Sequence, residues 1–147
     1  MAEHAVVQTA RRRVLLVDDE PDVVKVVGKR LEAAGFHVDI AMDGQAALAK
    51  VRESPPDLMI LDLMLPKVDG YEVCTLVKQN AQTRHIPVIM FTAKREEQDY
   101  WKGMACGADA YLTKPFQSEV LERLVNRLIQ TILARRGSAE EASNGGH

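Results

Sequence analysis

The stretch "RRRVLLVDDEPDVV" (Arg11–Val24) sets an apolar run against three carboxylates. Val14 to Val17 show no polar alternation, the pattern of a strand buried on both faces, and they run straight into Asp18, Asp19 and Glu20. Carboxylates are costly to desolvate, so their place at the end of a buried strand needs a cause. Two causes are open at this point. The acids can cap a helix that starts at Pro21 and favour its dipole, or a site can lie at the strand end.

Outward from this stretch, apolar runs alternate with helical patterns. The runs are Val14–Val17, Phe36–Ala41, Leu58–Leu61, Val88–Phe91 and Ala110–Leu112. After Pro21, Val23, Val24, Val27 and Leu31 recur at helical spacing until Gly35 stops them. Further helical patterns follow Asp43-Gly44, span Gly70 to Asn80 and Arg95 to Ala105, and start near Ser118 with Leu121, Leu124, Val125, Leu128, Ile129 and Ile132. Five βα units in series predict a doubly wound α/β domain, a parallel sheet covered on both faces with right-handed crossovers. The expected domain covers residues 13–134, between an N-terminal extension (1–12) and a frayed polar tail (135–147).

The 147 residues suffice for one core without a metal or disulfide staple. A net charge of −2, with no block of like charge beyond Arg11–Arg13, argues against direct nucleic-acid binding. Cys74 and Cys106 form no CxxC pair, and the four histidines lack ligand spacing, which argues against zinc. No apolar run has the length of a membrane span, and the order of charge in the N-terminal stretch is wrong for a signal peptide. A cytoplasmic protein is expected.

In a parallel α/β sheet all strands end on one edge, where ligands bind. Asp18 and Asp19 end the first run, Asp62 the third, Thr92 the fourth and Lys114 the fifth. Periodicity does not fix the strand order. The order 2-1-3-4-5, common among five-stranded doubly wound sheets, makes the acidic pair and Asp62 neighbours across the switch crevice. Carboxylates gathered there repel one another and call for a hard cation such as Mg²⁺, which takes carboxylate, water and phosphate oxygens. A carboxylate can attack phosphorus, and a lysine and a hydroxyl can meet the charge that develops on phosphoryl oxygens. Singly, each residue has a plainer reading: Asp62 as a loop cap, Thr92 as a helix cap, Lys114 as a solvated lysine.

The stretches "VLLVDDEPDV", "PDLMILDLMLPKVDGYEV", "IPVIMFTAK" and "GADAYLTKPF" together resemble the receiver domain of bacterial two-component response regulators, over roughly Val14 to Ile129. The resemblance implies a flavodoxin-like (βα)₅ fold and a phosphoryl group accepted on Asp62 from a sensor histidine kinase or phosphotransfer protein. It implies that Asp18 and Asp19 help hold Mg²⁺, Asp19 directly, and that Met64 lends its backbone carbonyl. Thr92 and Lys114 match the switch hydroxyl and the phosphate-binding lysine, and Tyr111 the aromatic that reorients on activation. Lys114-Pro115 matches a bond usually cis in the family. Met64 and Lys94, which flank the route of a hydrolytic water, are neither acids nor amides. A phosphorylated state that is not especially short-lived is therefore expected. The fourth helix, fifth strand and fifth helix are the expected contact face for a second copy or an output protein. The competing reading is a haloacid-dehalogenase-type phosphatase. That family needs a first-strand DxD motif, and no aspartate stands two residues after Asp18. A further alternative is a receiver excised from a larger DNA-binding regulator.

Overall fold

The computed structural model describes residues 11–93, 101–102, 104–114 and 117–145. Five strands, β1 (Arg13–Val17), β2 (His37–Ala41), β3 (Leu58–Leu61), β4 (Val88–Thr92) and β5 (Ala110–Thr113), form one parallel sheet of order β2-β1-β3-β4-β5. Four described helices flank it: α1 (Pro21–Ala33), α2 (Gly44–Glu53), α3 (Gly70–Gln79) and α4 (Ser118–Gly145). The strand order is the one expected, and the chain reverses direction between β1 and β3.

The sequence pattern explains the layers. The central strands β3 and β4 are buried throughout, and β1 is buried from Val14 on, because each is covered by helices on both faces. Alternate residues along the strands serve two cores. Leu15, Val17, Met59, Leu61, Val88 and Met90 pack with Ala47 and Val51 of α2 and Val73, Cys74 and Val77 of α3. Val14, Leu16, Leu58, Ile60, Ile89 and Phe91 pack with Val27 and Leu31 of α1 and Leu121, Val125 and Ile129 of α4. The edge strands β2 and β5 are only partly covered.

Two elements differ from the expectation, and three expected features lie wholly or partly outside the described residues. Phe36 precedes β2 rather than belonging to it, yet its ring is buried in the second core. The tail expected to be frayed from 135 is helical as far as Gly145. A helix already nucleated by packing at Leu121–Ile129 adds residues without a new nucleation cost, and this Ala-, Arg- and Glu-rich tail favours extension despite its glycines. Of the helix expected over Arg95–Ala105, Trp101, Lys102, Met104 and Ala105 are helical, whereas 94–100 and 103, Lys94 included, lie outside the described residues. Pro115, and with it the Lys114-Pro115 bond, also lies outside them, as do residues 1–10 of the expected N-terminal extension.

Candidate functional site

The strand ends converge because parallel pairing brings them to one edge. Leu61 pairs with Val17 on one side and Met90 on the other, so Asp62 emerges between the ends of β1 and β4. The Asp62 N–H donates to Val17 O at 3.0 Å, and the Asp18 N–H to Ala41 O at 3.2 Å, so both acids leave the sheet still tied to its hydrogen-bond ladder. Asp18 and Asp62 are buried. Their side chains also order the chain that follows: Asp18 Oδ1 accepts from Glu20 N–H at 2.9 Å, and Asp62 Oδ1 from Met64 N–H at 3.1 Å.

The helix-cap reading of the acidic run fails at Glu20. Glu20 is the N-cap of α1, with extended backbone, but its side chain makes no cap hydrogen bond. Its Oε1 instead accepts from Lys114 Nζ at 3.1 Å. The same ammonium lies 2.8 Å from Asp18 Oδ2 and 3.3 Å from Asp62 Oδ2, and 4.7 Å from the centroid of the Phe91 ring. Lys114 is thus no solvated surface lysine: its side chain is 15% exposed. Its backbone N–H donates to Thr92 O at 2.8 Å, which fixes the end of β5 against that of β4.

Charge and burial perturb these groups. Burial pushes the Asp62 carboxyl above the usual carboxylate range. The Met64 N–H opposes this, the Asp18 charge reinforces it, and Lys114 offsets part of it. For Lys114 burial works toward deprotonation, but hydrogen bonds to Asp18 and Glu20, with the Asp62 charge, outweigh it and hold the ammonium protonated. One cation therefore faces three acids.

Asp18, Glu20 and Asp62 each present a carboxylate oxygen within 4.8 Å of the others, an all-oxygen set suited to a hard divalent ion. Glu20 is a member that the sequence reading passed over, although it stands in the same acidic run. Asp19 is exposed and lies outside this cluster, but it lines the cleft that also contains Asp62 and Met64. Thr92 is fully buried at the end of β4. Tyr111 pairs with Met90 across β4–β5 and packs, partly buried, against the core on that sheet face. By the two-residue alternation of a strand, Thr92 projects on the same face as Met90, which makes Tyr111 its diagonal neighbour.

Two glycines hold the loop that follows Asp62. A Cβ at Gly70 would run into the Asp62 carbonyl oxygen and stand 2.7 Å from Leu63 Cα. A Cβ at Gly44 would collide with the Val68 carbonyl. Close backbone approach is the reason for glycine at both, and spacing in the sequence alone did not reveal it.

Comparison with known proteins agrees with this geometry. The family model for the response regulator receiver domain matches residues 14–126. The alkaline phosphatase synthesis transcriptional regulatory protein PhoP of Bacillus subtilis (strain 168) is 43% identical over 132 residues, 90% of this chain and 52% of that protein. The DNA-binding dual master transcriptional regulator RpaA of Synechocystis sp. (strain ATCC 27184 / PCC 6803 / Kazusa) is 44% identical over 118 residues, 80% of this chain and 49% of that protein. The crystal structure of a CheY-like response regulator receiver domain protein from Methanospirillum hungatei JF-1 superposes with a TM-score of 0.81 at 25% identity, covering 86% of this chain and 99% of that one. The chain spans about half the length of the curated relatives it matches.

Proposed function

This chain belongs to the response regulator receiver domain family, and we propose that Asp62 is its phosphoacceptor, supplied by a phosphohistidine on a sensor histidine kinase or phosphotransfer protein. An Asp62 carboxylate oxygen attacks phosphorus, the P–N bond of the donor breaks, and its imidazole leaves. The product is an acyl phosphate on Asp62, formed without any substrate being turned over. The family is a signalling domain, which supports this reading over the haloacid-dehalogenase one.

The observation that carries this reading is the ion contact of Lys114 Nζ with Asp62 Oδ2 at 3.3 Å, inside an acidic cluster. The lysine is poised to follow the negative charge from the carboxylate to the phosphoryl oxygens. Asp18 and Asp62, with Asp19 and the Met64 carbonyl in the adjoining cleft, would hold Mg²⁺, whose charge would neutralise the entering phosphoryl group. Thr92 serves as the switch hydroxyl. Its movement toward a phosphoryl group would free space for Tyr111 and alter the face of β5, α4 and the helical residues Trp101, Lys102, Met104 and Ala105, where a second copy or an output protein would bind. The relatives named above are described as transcriptional regulators. We assign this chain the phosphoacceptor part of such a regulator, acting in the cytoplasm through protein contacts, with no direct nucleic-acid contact of its own.

Acetyl phosphate with Mg²⁺ tests the assignment by intact mass. Wild type is expected to gain one phosphoryl group, and Asp62→Asn none. Equal labelling of the two would remove Asp62 from this role.

A further inference from the structure

Cys74 and Cys106 are 32 positions apart in the chain and meet in the fold. Cys74 is fully buried on α3, and its Sγ lies 3.6 Å from the Cys106 carbonyl oxygen. Cys106 is only partly buried, just past the helical residues 104–105.

Contacts on both sides clamp the Cys106 segment onto α3. Before it, Lys102 Nζ stands 4.4 Å from the centroid of the Tyr71 ring. After it, Lys78 Nζ pairs with Asp109 Oδ2 at 2.8 Å, and Asp109 Oδ2 also accepts from Val88 N–H at 2.8 Å. Gly107 has φ +100°, and a Cβ there would stand 2.9 Å from Lys78 Cγ. The turn that presents Cys106 to Cys74 is thus fitted closely against α3 on each side of the thiol.

We propose that Cys74 and Cys106 are a dithiol site that closes to an intramolecular disulfide on exposure to a hydroperoxide. The more accessible Cys106 sulfur, as thiolate, attacks the peroxide oxygen. The O–O bond breaks, the alcohol leaves (water, for hydrogen peroxide), and Cys106 becomes a sulfenic acid. The Cys74 sulfur then attacks the Cys106 sulfur, and the hydroxide displaced takes the Cys74 proton as water. In sum, two thiols and one hydroperoxide give one disulfide, one alcohol and one water. The two sulfurs differ in the sense this sequence requires. The contact with Cys74 holds the Cys106 thiol below its ordinary value against the opposing effect of burial, and the same contact together with burial pushes the Cys74 thiol up. The covalent loop from Cys74 to Cys106 would enclose β4 and Thr92. Any effect on phosphorylation rests on the reading of Asp62, whereas the disulfide is detected by mass alone and stands or falls independently.

The reduced 147-residue chain treated with hydrogen peroxide, followed by intact mass and a non-reducing peptide map, tests the site. Monomeric wild type is expected to lose two hydrogens, to yield one cross-linked peptide containing Cys74 and Cys106, and to recover with dithiothreitol. Cys74→Ser is expected to gain oxygen at Cys106 instead. Cys106→Ser is expected to react at least about tenfold more slowly than wild type, because the remaining Cys74 thiol is fully buried. Wild type that gains oxygen at Cys106 without the cross-link, or that cross-links only between two chains, would overturn the proposal.

Discussion

Lys114 Nζ lies 2.8 Å from Asp18 Oδ2, which joins the end of β5 to the end of β1 although β3 and β4 lie between them. Asp18 is fully buried, so this contact compensates a charge that water does not reach.

Removing the ammonium leaves Asp18, Glu20 and Asp62 facing one another. Lys114→Met is expected to lower stability by about 3 kcal/mol in the presence of chelator, the range for breaking one side of a buried pair. Urea unfolding checks this. Asp62→Asn in the same background should restore part of the loss, because one of the mutually repelling acids is gone. A double mutant no more stable than Lys114→Met would show that the acids do not interact.

Mg²⁺ is expected to raise the thermal midpoint of wild type. Asp18→Asn or Asp19→Ala should weaken that stabilisation and cut the rate of phosphorylation by acetyl phosphate at least about tenfold. Glu20→Gln should retain Mg²⁺ binding, since Glu20 is exposed and Asp18, Asp19 and Asp62 remain to hold the ion. Thermal melts across a Mg²⁺ series separate the roles. A loss confined to Glu20→Gln would move the ion from the Asp19 side of the cluster to the Glu20 side.

Two alanine substitutions should act in opposite directions. Gly28 lies inside α1 with open space where a Cβ would stand, so Gly28→Ala should stabilise by about 0.5–1 kcal/mol through helix propensity. At Gly70 the added methyl meets backbone of Asp62 and Leu63, which cannot rotate away. Gly70→Ala should cost about 1–3 kcal/mol and slow phosphorylation by displacing the Asp62 loop. Denaturant midpoints measured side by side give the two signs.

Asp39 on β2 accepts from Arg13 Nη2 at 2.9 Å, and this hydrogen bond holds its carboxyl below the usual 3.8 despite the opposing effect of burial. A carboxyl lowered on folding adds stability above its unfolded value, and that stability disappears as pH falls through the folded one. Both side chains are about one-third exposed, which keeps the pair near the surface range. Asp39→Asn should therefore lose about 0.5 kcal/mol at neutral pH. The stabilities of the two proteins should converge as pH falls below 3.8. Urea unfolding at several pH values checks this, and a constant difference down to acid pH would assign the effect to packing.

Much of the fold is local in origin and was legible along the chain. Unbroken apolar runs such as Leu58–Leu61 can be satisfied only with cover on both faces, and 3.6-residue patterns such as Val24, Val27 and Leu31 require a helix over a core. Asp18, Asp62, Thr92 and Lys114 were recognisable as strand-end residues because chain position fixes where a strand stops. The helical course of 135–145 was not legible, because small, polar and Gly-containing composition reads as a loop. Whether such a segment extends a helix depends on the packed turns before it.

The sequence by itself determined the five strands, the four described helices that flank them and the residue types that end the strands, since hydrophobic period and turn chemistry act over a few residues. Tertiary structure alone decided which of those residues touch. Only the sheet order brought Lys114 to Asp18 across 96 positions of chain, turned Glu20 from a helix cap into a partner of that lysine, and set Cys106 against Cys74. The physical reason is that hydrogen bonds and ion pairs act over a few ångströms, and between residues so far apart in the chain that separation is set by strand pairing and helix packing.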